Sequence, residues 1–491
     1  MRVDEAVAAR AEWIELRLDH LITGVDPAEV AQTLSRVADG TWIATLRSTD
    51  EGGLCHAPAE ARLKFLLEST ANRDGHIDFE YRACRDEPCF STWSNAAGRR
   101  RWILSFHDFH GRPEDVAALC REMVSTGPEV IAKVAWMGRG VGDNLVALET
   151  MRELGERVIA VVMGEVGLAS RVLARKFGAA ATYCALRCGS ETAHGQVALD
   201  EMLHKYRWRA IGPATKWFGV LGNPVRHSLS PMLFNRLFDH SGQDAVYLPM
   251  LAAGGEDELI AFLEHCERSS RLDSGGFSVT LPHKQAARRF VGPRIELLAA
   301  RIGAVNTLVL RNGRFHGYNT DYAGALDALC RGLDCERADL GGLSVDVLGA
   351  GGVARAVVAG LTDCGCTVTL FNRTASSAAA LAGEFGCRAA PWERRVERDG
   401  RVVINCTRLG LSPHTEQSPM PADTLSDRPA VFDTVYHPAE TRLLREAKQS
   451  GCVVIDGVEM FVRQAAAQYE LWFTTNPDID AMRTIVLEAL G

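Results

Sequence analysis

The chain has no apolar run approaching the 18 or more residues of a membrane span, and its first residues, MRVDEAVAARAEW, lack the apolar core of a signal peptide. Neither a membrane partner nor export is expected, which leaves a cytoplasmic protein. No basic stripe or arginine-rich segment stands out, the net charge is -8 and the pI is near 6, so no nucleic acid is expected as a partner. Fourteen cysteines run from Cys55 to Cys452 without a paired CxxC or a neighbouring His cluster. The closest pairs, Cys184/Cys188 and Cys364/Cys366, lack the second half of a zinc site, so no metal is expected and the thiols read as reduced and mostly core. What is present is 491 residues, 47% hydrophobic and 24% charged, too long for one core and suited to two or three soluble domains.

The stretch EWIELRLDHL alternates like a strand, with Ile14, Leu16 and Leu18 on one side and Glu15, Arg17 and Asp19 on the other. Six further strand-like runs follow: residues 41–47, 76–82, 101–109, 129–136, 157–164 and 180–186, separated by helical stretches such as PEDVAALCREMV. Regular alternation of this kind over about 200 residues predicts an α/β fold with a (β/α)8-type barrel apparently lacking one strand. In such a barrel, charges at the inner strand ends line the mouth, which places Glu15, Arg17, Arg47 and His107 there, with Lys133 inside the apolar run VIAKVAW. Burial disfavours an ammonium, so Lys133 is expected to have a depressed pKa and to act as a nucleophile able to form a Schiff base with a ketone. A histidine on the preceding strand end would move protons. These parts suit an imine-assisted elimination or an aldol reaction and do not choose between them.

Residues 204–217 mix charge, Gly and Pro and mark a boundary. Beyond it, LSVDVLGAGGVARAVVAG reads strand, glycine turn, helix. Gly349, Gly351 and Gly352 with Ala350, Val353 and Ala354 form a pyrophosphate-binding turn that opens a helix. The next strand ends in Asn372, Arg373 and Thr374 rather than in a carboxylate; an Arg pairs with a 2′-phosphate that an Asp would repel, so NADP(H) is favoured over NAD.

The motifs GNPVRHSLSPMLFN, SVTLPHK, GAVNTL, GYNTDYAG and GVEMFVRQAA, bracketing that unit, resemble shikimate dehydrogenase over residues 217–491. The resemblance implies a substrate-binding domain at 217–322, a Rossmann domain at 323–456 and C-terminal helices at 457–491 that return to the substrate domain. It further implies that Ser228 and Ser230 bind the substrate carboxylate, that Thr280, Asn306, Asp321 and Gln464 hold ring hydroxyls, and that Lys284 and Asp321 form the catalytic pair. Asn405, Thr407, Tyr436 and Gly457 would lie by the nicotinamide and the substrate. Two residues depart from the pattern: Ser278 stands where most bacterial relatives have Asn, and Ser377 where many have a second phosphate-binding Arg.

In the first half, ELRLD, TLRSTDEGG, SFHDF, AKVAWM, GLASRVLARKFGAAATY and TAHGQ resemble type I 3-dehydroquinate dehydratase over about residues 10–203, within a domain at 1–210. The resemblance implies that Lys133 forms the imine and that His107, oriented by Glu51, removes the adjacent proton and returns it to the leaving hydroxyl. Arg171 would hold the carboxylate, Glu15, Arg17 and Arg47 would grip ring hydroxyls or brace the site, and Thr192 and Gln196 would sit on a closing loop. That loop has Thr192 for the usual Ser and His194 for the usual Pro. The family has a strand before its ELRLD equivalent, so an exposed edge or distorted gap is expected along residues 12–18. The two halves would then carry consecutive reactions on 3-dehydroquinate and 3-dehydroshikimate, in a monomer or weak homodimer; the rival reading is a shikimate or quinate dehydrogenase with an inactive, ligand-sensing barrel.

Overall fold

The computed structural model describes residues 3–21, 26–71, 73–86 and 100–490, and these fall into two compact units that divide between Thr215 and Lys216. No helix among the described residues is long and apolar enough to cross a membrane.

In the first unit six parallel strands lie in chain order: β1 (Ile14–Arg17), β2 (Trp42–Thr45), β3 (Gly75–Glu80), β4 (Arg100–Asp108), β5 (Val130–Met137) and β6 (Val158–Met163). Two of the helices between them start where an aspartate accepts a free backbone N–H: Asp26 caps Pro27–Leu34 and Asp115 caps Val116–Ser125. The inner face carries one layer of branched residues, Ile43, Ile103, Ile131 and Ile159, and above it a polar layer. Among the described residues β1 pairs with β2 alone, so it forms a sheet edge as expected, but Ile14 and Leu16 on it are buried rather than exposed.

The seventh strand, expected at 180–186, does not form. Ala180 still donates to the Val158 carbonyl at the foot of β6, but Ala185 then turns away to exchange hydrogen bonds with Val197 and Leu199. The sheet is thus open, and side chains close what strands do not: Trp13 beside β1 and Ala180, Ala181 and Tyr183 pack into the same apolar cluster as the isoleucine layer.

The second unit holds two sheets. The first has the order β11-β10-β9-β7-β8, built from β7 (Lys216–Gly222), β8 (Ala245–Leu251), β9 (Ser274–Val279), β10 (Thr307–Arg311) and β11 (Arg314–Tyr318). The second is wholly parallel, order β14-β13-β12-β15-β16-β17, from β12 (Ser344–Leu348), β13 (Thr367–Asn372), β14 (Arg388–Pro391), β15 (Val402–Asn405), β16 (Ala430–Asp433) and β17 (Val454–Ile455). This is the doubly wound arrangement, with the strand order reversing between β12 and β15, where dinucleotides bind. The helix Gly457–Phe473 returns to the first sheet, its Trp472 ring 5.0 Å from Phe218 and 5.3 Å from Phe234. It also lies close along the helix Asp321–Leu333, where a Cβ on Gly324 would come within 3.0 Å of Gln464, so a side chain there would force the helices apart.

Candidate active sites

In the first unit, period-two alternation aims alternate residues of each strand inward, and five of these strands deliver charge or hydroxyl to one place. Lys133 on β5 is buried, its Nζ 2.8 Å from Asp78 Oδ2 and 3.6 Å from Glu15 Oε1, and it lies 4.1 Å over the Tyr183 ring. Arg47, just past β2, donates to Asp78 Oδ1 at 2.6 Å and to Ser105 Oγ at 2.5 Å. Thr45 donates to Glu15 at 2.8 Å, and Arg17 pairs with Asp19 through two bonds of 3.0 and 2.8 Å. On the adjacent β4, His107 meets Glu51 Oε2 through Nδ1 at 2.9 Å, and its backbone N–H donates to the same oxygen at 3.0 Å.

The electrostatics differ from expectation at one point. Burial pulls the Lys133 ammonium down, yet Asp78, Tyr183 and Glu15 outweigh it and hold the amine above its ordinary range. The sequence alone predicts a depressed pKa because it shows the apolar strand around Lys133 and not the carboxylate, 55 residues away, that faces it. Burial likewise pushes Asp78 up, but Arg47 and Lys133 win and keep it ionised. His107 is held well below its usual value, by burial first and then by Arg47 and Lys133, so its imidazole is neutral. With Nδ1–H donating to Glu51, its Nε2 is left as a base. Burial raises Glu51 to about 7. Above that pH Glu51 is the carboxylate that accepts the His107 N–H, and below it the anchor is lost. The expected profile of dehydration against pH therefore falls about tenfold per unit well below an inflection near 7. Glu51→Gln should flatten that limb and lower the plateau about 100-fold; a limb unchanged in Glu51→Gln would assign it elsewhere.

Arg171 is fully buried, donates to the His194 carbonyl at 3.2 Å and leaves its Nε without a partner; burial lowers it to about 10. That one bond ties it to the loop carrying Thr192 and Gln196, where Gln196 Oε1 accepts the Thr192 backbone N–H at 2.9 Å. Among the described residues no hydrogen bond joins Thr192 or Gln196 to Lys133, so the structure links this loop to Arg171 and does not bring it onto the lysine. Sequence reading missed Asp78, Glu80, Ser105 and Tyr183. Asp78 and Glu80 share one face of HIDFEYR with His76, the same alternating signal that marked Glu15 and Arg17.

In the second unit, Lys284 opens the helix Lys284–Val291 and Asp321 opens Asp321–Leu333; their side chains meet at 2.5 Å, both buried. Asn306, between β9 and β10, donates to Asp321 Oδ1 at 2.9 Å. Gln464 turns its amide to the Phe461 carbonyl at 3.0 Å, and Tyr436 stacks on Phe461 at 4.4 Å, burial raising its phenol to about 12. The Ser230 backbone N–H reaches Ser228 Oγ at 3.3 Å, and Thr280 follows β9 directly, its backbone N–H on the Leu221 carbonyl.

The glycine turn follows β12. Gly349 has φ +111°, and its Cβ would sit 3.0 Å from the Cys406 carbonyl, so only glycine serves there. A Cβ on Gly351 would meet nothing, leaving room over the N-terminus of Gly352–Asp363 for a pyrophosphate, and one on Gly352 would lie 3.2 Å from Lys284. Ala350, Val353 and Ala354 continue this turn into the helix. Across the switch point Asn405 Oδ1 accepts the Thr407 backbone N–H and hydroxyl at 2.9 and 2.7 Å. At the end of β13, Asn372 donates to the Thr374 carbonyl, and Arg373, just past the strand, is exposed with no ion pair among the described residues. Gly457 is buried, starting the returning helix against the Val435 carbonyl. These features fit a dinucleotide bearing a 2′-phosphate.

A lysine-centred site on an open parallel sheet and a Rossmann-type reductase site on one chain define a two-activity α/β enzyme, part lyase and part oxidoreductase. The family model of type I 3-dehydroquinase matches residues 1–213, that of the shikimate dehydrogenase substrate binding domain residues 220–308, and that of the shikimate 5′-dehydrogenase C-terminal domain residues 457–487. Over 478 residues, 94% of this chain and 77% of the relative, the sequence is 34% identical to the chloroplastic bifunctional 3-dehydroquinate dehydratase/shikimate dehydrogenase of Arabidopsis thaliana. The chain belongs to the bifunctional 3-dehydroquinate dehydratase/shikimate dehydrogenase family, a lyase joined to an NADP-dependent oxidoreductase of the shikimate pathway. Among solved structures, the shikimate 5-dehydrogenase of Thermus thermophilus in complex with NADP(H) and shikimate is 38% identical with TM-score 0.50, covering 56% of this chain and 100% of that one. A shikimate dehydrogenase in complex with NADP+ is 30% identical with TM-score 0.53, covering 57% and 98%.

Proposed function

We propose that the first unit dehydrates 3-dehydroquinate through an imine on Lys133 and that the second reduces the resulting 3-dehydroshikimate to shikimate, in the cytoplasm. The observation that carries the first half is the convergence of Lys133 with the His107–Glu51 pair on neighbouring strands. Lys133 rests as an ammonium, so it must give up a proton before it attacks; Asp78 and Glu15 are the carboxylates in reach. The neutral amine adds to the substrate ketone and water leaves, forming the imine. The imine withdraws electrons from the neighbouring carbon, His107 takes a proton there, and the C–O bond breaks as His107 returns that proton to the departing hydroxyl. Water then cleaves the imine and frees Lys133. Arg171, with a buried donor to spare, suits the carboxylate.

In the second unit, when bound, NADPH supplies the hydride. Lys284 stabilises and protonates the oxygen on which charge develops, and Asp321, held by Asn306, orients the ammonium. Arg373 would pair with the 2′-phosphate. Arg373→Ser should raise KM for NADPH about 10- to 100-fold and leave that for NADH unchanged; equal effects on both would refute the phosphate role.

Supplying 3-dehydroquinate and NADPH together tests the whole reading: shikimate should accumulate, and borohydride with 3-dehydroquinate should add reduced substrate to the Lys133 peptide. Turnover of 3-dehydroshikimate alone, with no adduct, would make the barrel a ligand sensor.

A further inference from the structure

Helix Gly457–Phe473 buries a second glutamine, Gln468, one turn beyond Gln464 and 2% exposed. Its hydrogen bonds join the two ends of the proposed reductase site. The Tyr247 hydroxyl donates to Ser278 Oγ at 2.6 Å, Ser278 donates to Gln468 Oε1 at 2.8 Å, and Gln468 Nε2 donates to Thr307 Oγ1 at 3.0 Å. Thr307 donates to Asn306 Oδ1 at 2.8 Å, and Asn306 Nδ2 donates to Asp321 Oδ1, whose other oxygen holds Lys284. At the far end Ser230 lies beside the Tyr247 hydroxyl.

The direction of every bond is forced. The Thr320 backbone N–H donates to Asn306 Oδ1 at 2.9 Å, which fixes the Asn306 amide with its NH2 on Asp321. Thr307, bonded to that same oxygen, must donate to it and therefore accepts from Gln468. Gln468 thus presents its NH2 to Thr307 and its oxygen to Ser278, and Ser278 in turn accepts from Tyr247. Hydroxyls rotate and would follow either polarity; a carboxamide, with acceptor and donor on opposite atoms, holds one. Aligned donors polarise one another, and the whole row points at the Asp321 carboxylate.

We infer that Gln468 is a positioning residue for the reduction: it carries the polarity that the Thr320 N–H sets at Asn306 through a buried relay to Ser278, leaving Ser278 only an acceptor lone pair for a ring hydroxyl. This rests on Lys284 and Asp321 being the catalytic pair. Ser278, in place of Asn, is then part of a matched set with Gln468 and Tyr247. The titratable groups nearest along the relay are Tyr247, Asp321 and Lys284, and none of them hydrogen-bonds Gln468 itself.

Three substitutions in the full chain test it. Gln468→Met keeps the volume and removes the bonds to Ser278, Thr307 and the Asn306 carbonyl: kcat for 3-dehydroshikimate reduction should fall about 10- to 100-fold, with NADPH binding, read by fluorescence, unchanged. Gln468→His, whose neutral ring accepts at one nitrogen and donates at the other, should recover most of the loss. Gln468→Glu is an acceptor at both ends when ionised but matches glutamine when protonated, so its kcat should climb toward the wild-type value as pH falls from about 9 to about 6, while Gln468→Met stays low throughout. A Gln468→Met kcat within about twofold of wild type, or His and Met variants equally impaired with no acid recovery in Gln468→Glu, would reduce Gln468 to packing and overturn the inference. Loss of activity in Lys284→Met beside normal Gln468 variants would sink the relay alone; normal activity in Lys284→Met would sink the catalytic pair beneath it.

Discussion

Lys133→Met is expected to lower dehydration by about 10,000-fold or more and to abolish the borohydride adduct, with reduction of 3-dehydroshikimate by the same chain unchanged. Methionine fills the space between β4 and β6 but offers no amine. The other cations at the site, Arg17, Arg47 and Arg171, are guanidiniums that stay protonated and cannot form an imine. The loss should appear in kcat rather than KM, because the groups suited to grip the substrate, Arg171 and the Glu15 and Arg17 side chains, remain. Asp78 sharpens the expectation. It holds the resting ammonium through a 2.8 Å bond and is kept ionised by Arg47. Asp78→Asn removes the charge that stabilises the protonated lysine, so imine formation should need less alkaline conditions while the site loses a proton acceptor. A Lys133→Met enzyme that still dehydrates within about tenfold of wild type would end the imine mechanism.

What the sequence disclosed depended on how local the signal was. The turn at Gly349 and the helix after it are written in consecutive residues, so the doubly wound sheet and its cofactor end were legible. The alternation in EWIELRLDHL marked Glu15 and Arg17 as inward, and the same alternation in HIDFEYR marks Asp78, although an acid amid apolar residues draws less attention than Lys133 does. Residues 180–186 read as a strand because AATYCAL has strand-like composition, yet pairing is a tertiary matter: Ala185 finds Val197 and Leu199 instead of β6. The charge state of Lys133 was beyond reach for the same reason, since the burial is visible in the strand and the counter-charge is two strands away. Gln468 looks like any polar residue in RQAAAQ; only the fold reveals that its helix turns it inward, onto Ser278 and Thr307.

Lys284→Met should lower kcat for reduction about 1,000-fold with KM for NADPH unchanged, and dehydration by the first unit should be unaffected. In the proposed reduction the ammonium has two tasks, stabilising the oxygen that gains charge and supplying its proton, and Lys284→Arg separates them. Arginine keeps the positive charge but does not release a proton near neutrality, and its planar fork does not fit a position made for a compact ammonium 2.5 Å from Asp321. If the charge were sufficient, Lys284→Arg would retain most of the activity; with proton donation required, it should fall close to Lys284→Met. Asp321→Asn tests the partner. It leaves Lys284 without its carboxylate and presents an amide to Asn306, whose NH2 now donates to Asp321 Oδ1, so kcat should drop about 100-fold. The Lys284→Met, Asp321→Asn double variant should be no worse than Lys284→Met alone, because two groups that act as one unit are lost together. Multiplied effects in the double variant would mean that the two side chains serve separate steps.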